Sequence, residues 1–327
     1  MTGKITPIPQ LQLGQTGPMI GIQGLGCMGM SEFYGKSDEV ESRATLEHAL
    51  ELGVSLFDTA DMYGIGANEE FLAPFIKTVR DKVIIATKFG YTRTPQTPDD
   101  WSIDNRPEFI RAAVEGSLKR LGVEVIDLYY MHRRNDAVPL DDSVGAMADL
   151  VREGKVKWLG LCAVSEAELR AAHAIHPISA LQSEWSIFTR DIERHVVPAA
   201  AELDITIVPY SPLGRGMLTG QSFANGLTDG DARQYFPRFS AENRGANIRL
   251  VGEIEAVAGA KGITPAQLAL AWLYGQAKRL NVKTVPIPGT RKRHRLEENI
   301  AATSITLTPE EMDLLEPLAH AVKGVAV

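Results

Sequence analysis

Short apolar runs rich in β-branched and aromatic residues recur along the chain roughly every thirty residues, and each is followed by a polar stretch with helical spacing. This switching between a two-residue and a 3.6-residue period is the mark of βα units. Eight runs stand out: 21–26 (GIQGLG), 54–60 (VSLFDTA), 82–90 (KVIIATKFG), 125–132 (VIDLYYMH), 155–163 (KVKWLGLCA), 178–186 (ISALQSEWS), 205–212 (ITIVPYSP) and 283–289 (KTVPIPG). The helical segments between them have definable starts. Ser37 or Asp38 caps the first, Pro107 opens EFIRAAVEGSLKRLG, and Ser165 caps EAELRAAHA. Gly53, Gly122 and Gly154 stand where helices end. Eight such units in 327 residues predict a closed (β/α)8 TIM barrel, with residues 1–327 forming a single domain.

Two segments lie outside the repeat. LQLGQTGPMIG, ahead of the first strand, reads as a hairpin turning at Gly14 to Gly17 and plugging the barrel floor. Residues 220–247, after strand seven, read as a polar, glycine-rich loop; a connection that long in a compact domain usually serves a site. A third feature is a decoy. Gly24, Gly26 and Gly29 spell G-x-G-x-x-G after a strand, but eight residues (MSEFYGKS) separate them from the next helix, so no helix amino terminus would receive a pyrophosphate and a Rossmann site is set aside.

Charge and composition narrow the function classes. A formal net charge of −7 argues against a general nucleic-acid surface, and no apolar run is long enough to span a bilayer. The stretch MTGKITPIPQLQLG lacks the apolar core and cleavage pattern of a secretory signal, so the cytoplasm is the expected location. The two cysteines, Cys27 and Cys162, are too few for a disulfide scaffold and read as small buried residues of a reduced chain. Nothing in the pattern calls for a metal or sets an oligomeric state.

The strand ends carry unusual polarity. Catalytic groups of a barrel stand at the carboxyl ends of its strands. Alternation puts Leu56 with Asp58, Ala86 with Lys88, and Tyr130 with His132 on shared faces, while Tyr63 hangs just beyond the second strand. A lysine in a partly dry mouth needs a counter-charge, which Asp58 supplies. The retained cation is expected to draw the Tyr63 phenol down towards working pH, making it a general acid, and His132 is expected to orient a carbonyl oxygen.

FDTADMYG, IATKFG and LYYMHR resemble the catalytic motifs of the aldo-keto reductase superfamily, and the resemblance runs from the hairpin to the last helix through LQSEWS, YSPLGRGMLTG, PIPGTRK and LEEN. The subgroup is similar to bacterial and plant enzymes of the auxin-induced or pyridoxal-reductase kind. The resemblance implies NADPH-dependent reduction of an aldehyde or ketone, with Asp58, Tyr63, Lys88 and His132 catalytic, NADP(H) as cofactor and a small carbonyl compound as partner. It also implies that Gln182 bonds the nicotinamide carboxamide, that Trp185 stacks on the ring, and that Ser211, Leu213, Gly214 and Gly216 wrap the pyrophosphate. Thr290, Arg291 and Arg295 are implied at the 2′-phosphate and Glu298 and Asn299 near the adenine, with Met28 and Gly289 also at the cofactor. One motif departs from the pattern: where relatives usually show Gly-x-Ser followed by Asn or Glu, GLCAVS puts Cys162 and Ala163, removing two polar groups.

Two other classes remain alongside this reading. A Schiff-base aldolase would use Lys88 but leave the basic run at Arg291 to Arg295 without a task. A barrel that binds the nucleotide as regulatory subunit of a membrane partner would tolerate the lost polar pair. Tyr34, Tyr91, Trp101, Trp185 and the loop after strand seven border the expected mouth, which suggests an aromatic or otherwise apolar carbonyl substrate rather than a small acid.

Overall fold

In the computed structural model, which describes residues 7–35, 37–220, 227 and 231–325, the chain opens with the expected hairpin. Strands β1 (Gln10–Gln12) and β2 (Met19–Gly21) pair with Leu11 opposite Ile20. Leu13 and Ile20 are fully buried among the inward side chains of the barrel. The turn is fastened to the barrel floor: the Gly14 N–H donates to Thr206 Oγ1 at 2.8 Å, and Lys283 Nζ donates to the Gly14 carbonyl at 2.9 Å. A Cβ at Gly14 would lie 2.7 Å from the Ser179 carbonyl oxygen, and its φ is +56°, so only glycine fits the approach.

Seven parallel strands follow in sequence order: β3 (Leu25–Gly26), β4 (Leu56–Asp58), β5 (Ile84–Phe89), β6 (Ile126–Met131), β7 (Val156–Cys162), β8 (Ile178–Glu184) and β9 (Thr206–Tyr210). The predicted eighth run, 283–289, closes the barrel without forming a regular strand. It bridges β9 at Thr284 and Gly26 at Gly289, and Val285 and Ile287 donate to the carbonyls of Ile207 and Pro209. Pro286 and Pro288 have no N–H, which limits this segment to isolated bridges. The first predicted strand is also shorter than expected, because Ile22 bonds back to Pro9 and Gly24 reaches across to Pro286.

Helices cover the outside as α1 (Glu39–Glu51), α2 (Ala67–Val79), α3 (Pro107–Leu121), α4 (Leu140–Arg152), α5 (Glu166–Ile175), α6 (Val196–Glu202), α7 (Ala241–Lys261), α8 (Pro265–Arg279) and α9 (Arg293–Ala301), with short α10 (Pro309–Leu315) and α11 (Leu318–Ala321) at the end. Their starts follow local chemistry. Asp38 accepts from the Val40 and Glu41 amides, Pro107 occupies the first turn of α3, and Ser165 forms a capping box with Glu168. Helix α7 shortens the predicted loop. Ser240 caps it, so Ala241 to Asn247 belong to a helix that the polar, glycine-containing sequence had hidden. Residues 221–226 and 228–230 of that loop lie outside the described residues. No described helix is long and apolar enough to cross a membrane.

Alternation along the strands divides the apolar residues into two layers. Leu56, Ala86, Leu128, Ala180, Val208 and Val285 fill the barrel. Phe57, Ile85, Tyr129, Leu159, Leu181 and Ile207 face the helices. A side chain's layer therefore decides whether it can reach the mouth.

Candidate active site

Asp58 and Lys88 are the last inward residues of β4 and β5, and His132 follows β6 directly, held by its N–H to the Phe89 carbonyl at 2.8 Å. Lys88 Nζ lies 2.5 Å from Asp58 Oδ1, 2.7 Å from the Thr59 carbonyl and 3.3 Å from Tyr63 Oη. Gln182 Nε2 completes the cluster by donating to Asp58 Oδ2 at 2.7 Å. The Tyr63 and His132 rings meet edge to face, their centroids 5.8 Å apart. Lys88 is fully buried, and Asp58, Tyr63 and His132 are each less than a tenth exposed.

Tyr63 is delivered by a turn that sequence reasoning did not detail. Asn68, at the start of α2, accepts from Thr59 Oγ1 and donates to the Cys27 carbonyl and Ser31 Oγ, while Glu32 accepts from the Gly64 amide. These bonds tie the turn to β3, β4 and the segment after β3. Glu69, one residue on, is buried behind Lys88's strand and takes Thr87 and Arg120. Asp61 lies near Glu69 and Arg120, and burial raises its carboxyl well above the usual range.

Electrostatics separate the roles. Burial opposes the Lys88 charge, but Asp58 first, then Tyr63 and Cys162, outweigh it and hold the ammonium above its usual range. The expected lowering of Tyr63 does not occur. Burial pushes the phenol up to about 12, against the pull of Lys88. Burial, then Lys88 and Arg133, push the His132 imidazole well below its ordinary range. At neutral pH the cluster thus offers a buried ammonium, a protonated phenol and a neutral imidazole.

One further reading needs correction. Trp185 does not stand in the mouth: it is fully buried in the layer between barrel and helices, its Nε1 donating to Glu193 at 2.8 Å. Two-residue alternation explains this, because Gln182 and Glu184 face inward and their neighbour turns out. Tyr210, which sequence reasoning missed, is a half-buried aromatic that packs on the inner cluster from the carboxyl end of β9. It shares a face with Thr206 and Val208, and that alternation was the available signal. Gln182, assigned to a carboxamide, has an Nε2 hydrogen engaged by Asp58.

The remaining predicted residues spread along one side of the mouth. Met28 packs beside Ala60, Met62 and Tyr63. Ser211, Gly214, Arg215 and Gly216 all have positive φ in the irregular turns after β9, next to Leu213. Gly289 faces Gly26 at the barrel closure, where a Cβ on Gly26 would come within 2.9 Å of the Ile287 carbonyl oxygen. That packing accounts for Gly26, and Gly24 lies as close to Ile287 and Leu56, while α1 starts only at Glu39. Thr290 Oγ1 accepts from the Lys292 amide. Arg291 donates to the carbonyls of Gly29, Tyr34 and Gly35, and Arg293 pairs with Glu41. Arg295 is exposed, Glu298 half-buried, and Asn299 buried. Cys162 lies in the inner cluster, where burial lifts its thiol to about 12, whereas Ala163 is exposed with φ +50°.

The site is thus a buried lysine–aspartate pair at the carboxyl ends of adjacent barrel strands, with a tyrosine hydroxyl on the same ammonium, an arrangement suited to protonating an oxygen that gains negative charge. The aldo/keto reductase family model matches residues 24–319, and the chain belongs to that family of oxidoreductases. Among solved structures it is similar to the glycerol dehydrogenase AKR11B4 of Gluconobacter oxydans, at 26% identity over 96% of both chains and a TM-score of 0.85. The holo form of aldo-keto reductase AKR11C1 from Bacillus halodurans matches at 26% identity over 96% of this chain and 97% of that one, with a TM-score of 0.77. A thermostable aldo-keto reductase, Tm1743, in complex with the inhibitor epalrestat, matches at 29% identity over 95% and 100%, with a TM-score of 0.75.

Proposed function

We propose that the chain works as one barrel domain in the cytoplasm, reducing aldehydes or ketones to alcohols with NADPH and with Tyr63 as general acid. The observation that carries this is the Lys88 ammonium bound at once to Asp58 and to the Tyr63 hydroxyl. Tyr63 keeps its proton through the neutral range and gives it to the carbonyl oxygen as negative charge develops there; the Lys88 cation 3.3 Å away then stabilises the phenolate left behind. Neutral His132, edge-on to Tyr63, orients the same oxygen by a hydrogen bond. The nicotinamide cofactor, when bound, supplies the hydride.

The residues present suit such a cofactor. Arg291 and Arg295 repel one another; burial and Arg295 together lower the Arg291 pKa, and the first turn of α9 has no acidic residue. Two crowded guanidiniums beside a helix amino terminus fit a phosphate, which favours NADP(H) over NAD(H). Tyr210 is the ring available at the inner mouth, and the positive-φ turns at 211–216 allow close backbone approach. A Schiff-base role is disfavoured because Asp58 holds Lys88 charged, and an attacking amine must be neutral. Decrease of the nicotinamide absorbance on mixing the protein with NADPH and 4-nitrobenzaldehyde tests the reading. Absence of turnover with a broad aldehyde and ketone panel, together with tight NADPH binding, would favour the regulatory barrel.

A further inference from the structure

Arg133 follows His132 at the end of β6 and turns into the mouth. Its Nη1 donates to the His132 carbonyl at 2.8 Å, and its guanidinium lies 5.9 Å from the centre of the Tyr210 ring. That is one N–H used of five. Its charge acts on Tyr210, Tyr91, Cys162 and Tyr63 and on the neighbouring His132.

No described carboxylate pairs with it. Asp58 is taken by Lys88 and Gln182, and Glu184 by Thr189 and Arg238. Neighbouring arginines are provided for: Arg93 has Glu32 in a two-pronged contact, and Arg134 faces Glu168 at 3.6 Å. A half-buried guanidinium with unused donors is costly unless something anionic meets it. Beside it stands an aromatic wall. The Tyr91 ring meets His132 edge-on at 5.2 Å and Trp101 at 5.9 Å, and Trp101 is 48% exposed.

We propose that Arg133 is a specificity residue that binds a carboxylate carried by the carbonyl substrate itself, so that the preferred substrates are aromatic aldehydes or ketones bearing an acidic group. The inference rests on the carbonyl-reducing reading above and revises the expectation of a purely apolar substrate. The planar fork of arginine matches a carboxylate through two parallel N–H bonds, while the aromatic wall holds the ring and Tyr63 and His132 take the carbonyl oxygen.

The test compares 4-formylbenzoate with its methyl ester, which share the ring and aldehyde and differ in charge. The wild-type protein should favour the acid by about 10- to 100-fold in kcat/KM, mostly through KM. Arg133→Met should bring that ratio to one or below, and Arg133→Lys should leave it in between. Each ratio is taken within one protein, so activity lost equally on both compounds cancels, and the wild-type ratio decides even where a variant does not fold. Calorimetric binding of acid and ester without cofactor separates the two readings. Arg133-dependent preference for the acid without turnover keeps this site and removes the reductase reading. Equal wild-type use and binding of acid and ester overturns the site while leaving the reductase reading intact. A preference that survives Arg133→Met, or a loss of NADPH affinity in that variant as large as the loss for the acid, overturns it as well.

Discussion

Gln182 donates to the oxygen of Asp58 that Lys88 leaves open, at 2.7 Å across 124 residues of sequence. Both carboxylate oxygens are therefore satisfied inside the barrel, and the direction of the Lys88 ammonium is set from β4 and β8 together. Gln182→Leu should strip a buried carboxylate oxygen of its donor and lower stability by about 1–3 kcal/mol in urea denaturation, before any cofactor is added. Unchanged stability with weakened NADPH binding would return Gln182 to a carboxamide role alone.

Tyr63→Phe is expected to lower kcat by about 10²-fold or more, because the proton donor is lost, while NADPH affinity and melting temperature stay near wild type. Its hydroxyl has a 3.3 Å contact with Lys88 and no closer bond to lose. Lys88→Met differs. It leaves Asp58 buried with no cation, where burial, which already raises its carboxyl, favours uptake of a proton, so stability should fall by about 3 kcal/mol along with kcat.

The two shifted groups predict a pH profile. Tyr63, raised to about 12, keeps its proton, and His132, pushed well below the ordinary imidazole range, stays neutral. The kcat for reduction should show no step near pH 6.5, measured with saturating substrate. Stability behaves with the opposite dependence: the unfolded chain binds the imidazole proton and the folded one does not. The His132 contribution is full above the unfolded pKa, declines as pH drops below about 6.5, and should be removed by His132→Gln.

Arg291 and Arg295 should separate in their effects. Arg295→Ala should weaken NADPH by about tenfold or more with little change for NADH or for stability, since it has no described partner. Arg291→Ala should weaken NADPH similarly and also release the carbonyls of Gly29, Tyr34 and Gly35. Faster amide hydrogen exchange over residues 28–35 in the second variant alone would show this.

Ala163 sits at φ +50°, a conformation that asparagine tolerates better than alanine. Ala163→Asn should therefore raise stability by about 0.5–1 kcal/mol in thermal melts, whatever it does to cofactor binding. Cys162 should resist alkylation at neutral pH, because burial holds its thiol near 12.

The order of strands, the hairpin and the inward placing of Asp58, Lys88 and His132 were legible because they follow from local pattern. Two-residue alternation in FDTA, IATKFG and LYYMH sets Asp58, Lys88 and the Tyr130–His132 face inward, and Asp38, Pro107 and Ser165 announce their helices through capping chemistry. What stayed hidden depends on contacts across the barrel. Trp185 read as a mouth residue until its layer placed it against Glu193, whereas Tyr210 packs on the inner cluster. The Tyr63 phenol was expected to fall because the charge of Lys88 is visible in the chain, whereas the burial that raises it is a sum over many residues distant in sequence. Pattern and capping are properties of neighbouring residues, so the amino-acid order alone determined the barrel and the position of Asp58, Lys88 and His132. Which groups share a dry pocket is set by how strands far apart in sequence meet, and only the tertiary structure could pair Gln182 with Asp58 and leave Arg133 without a carboxylate among the described residues.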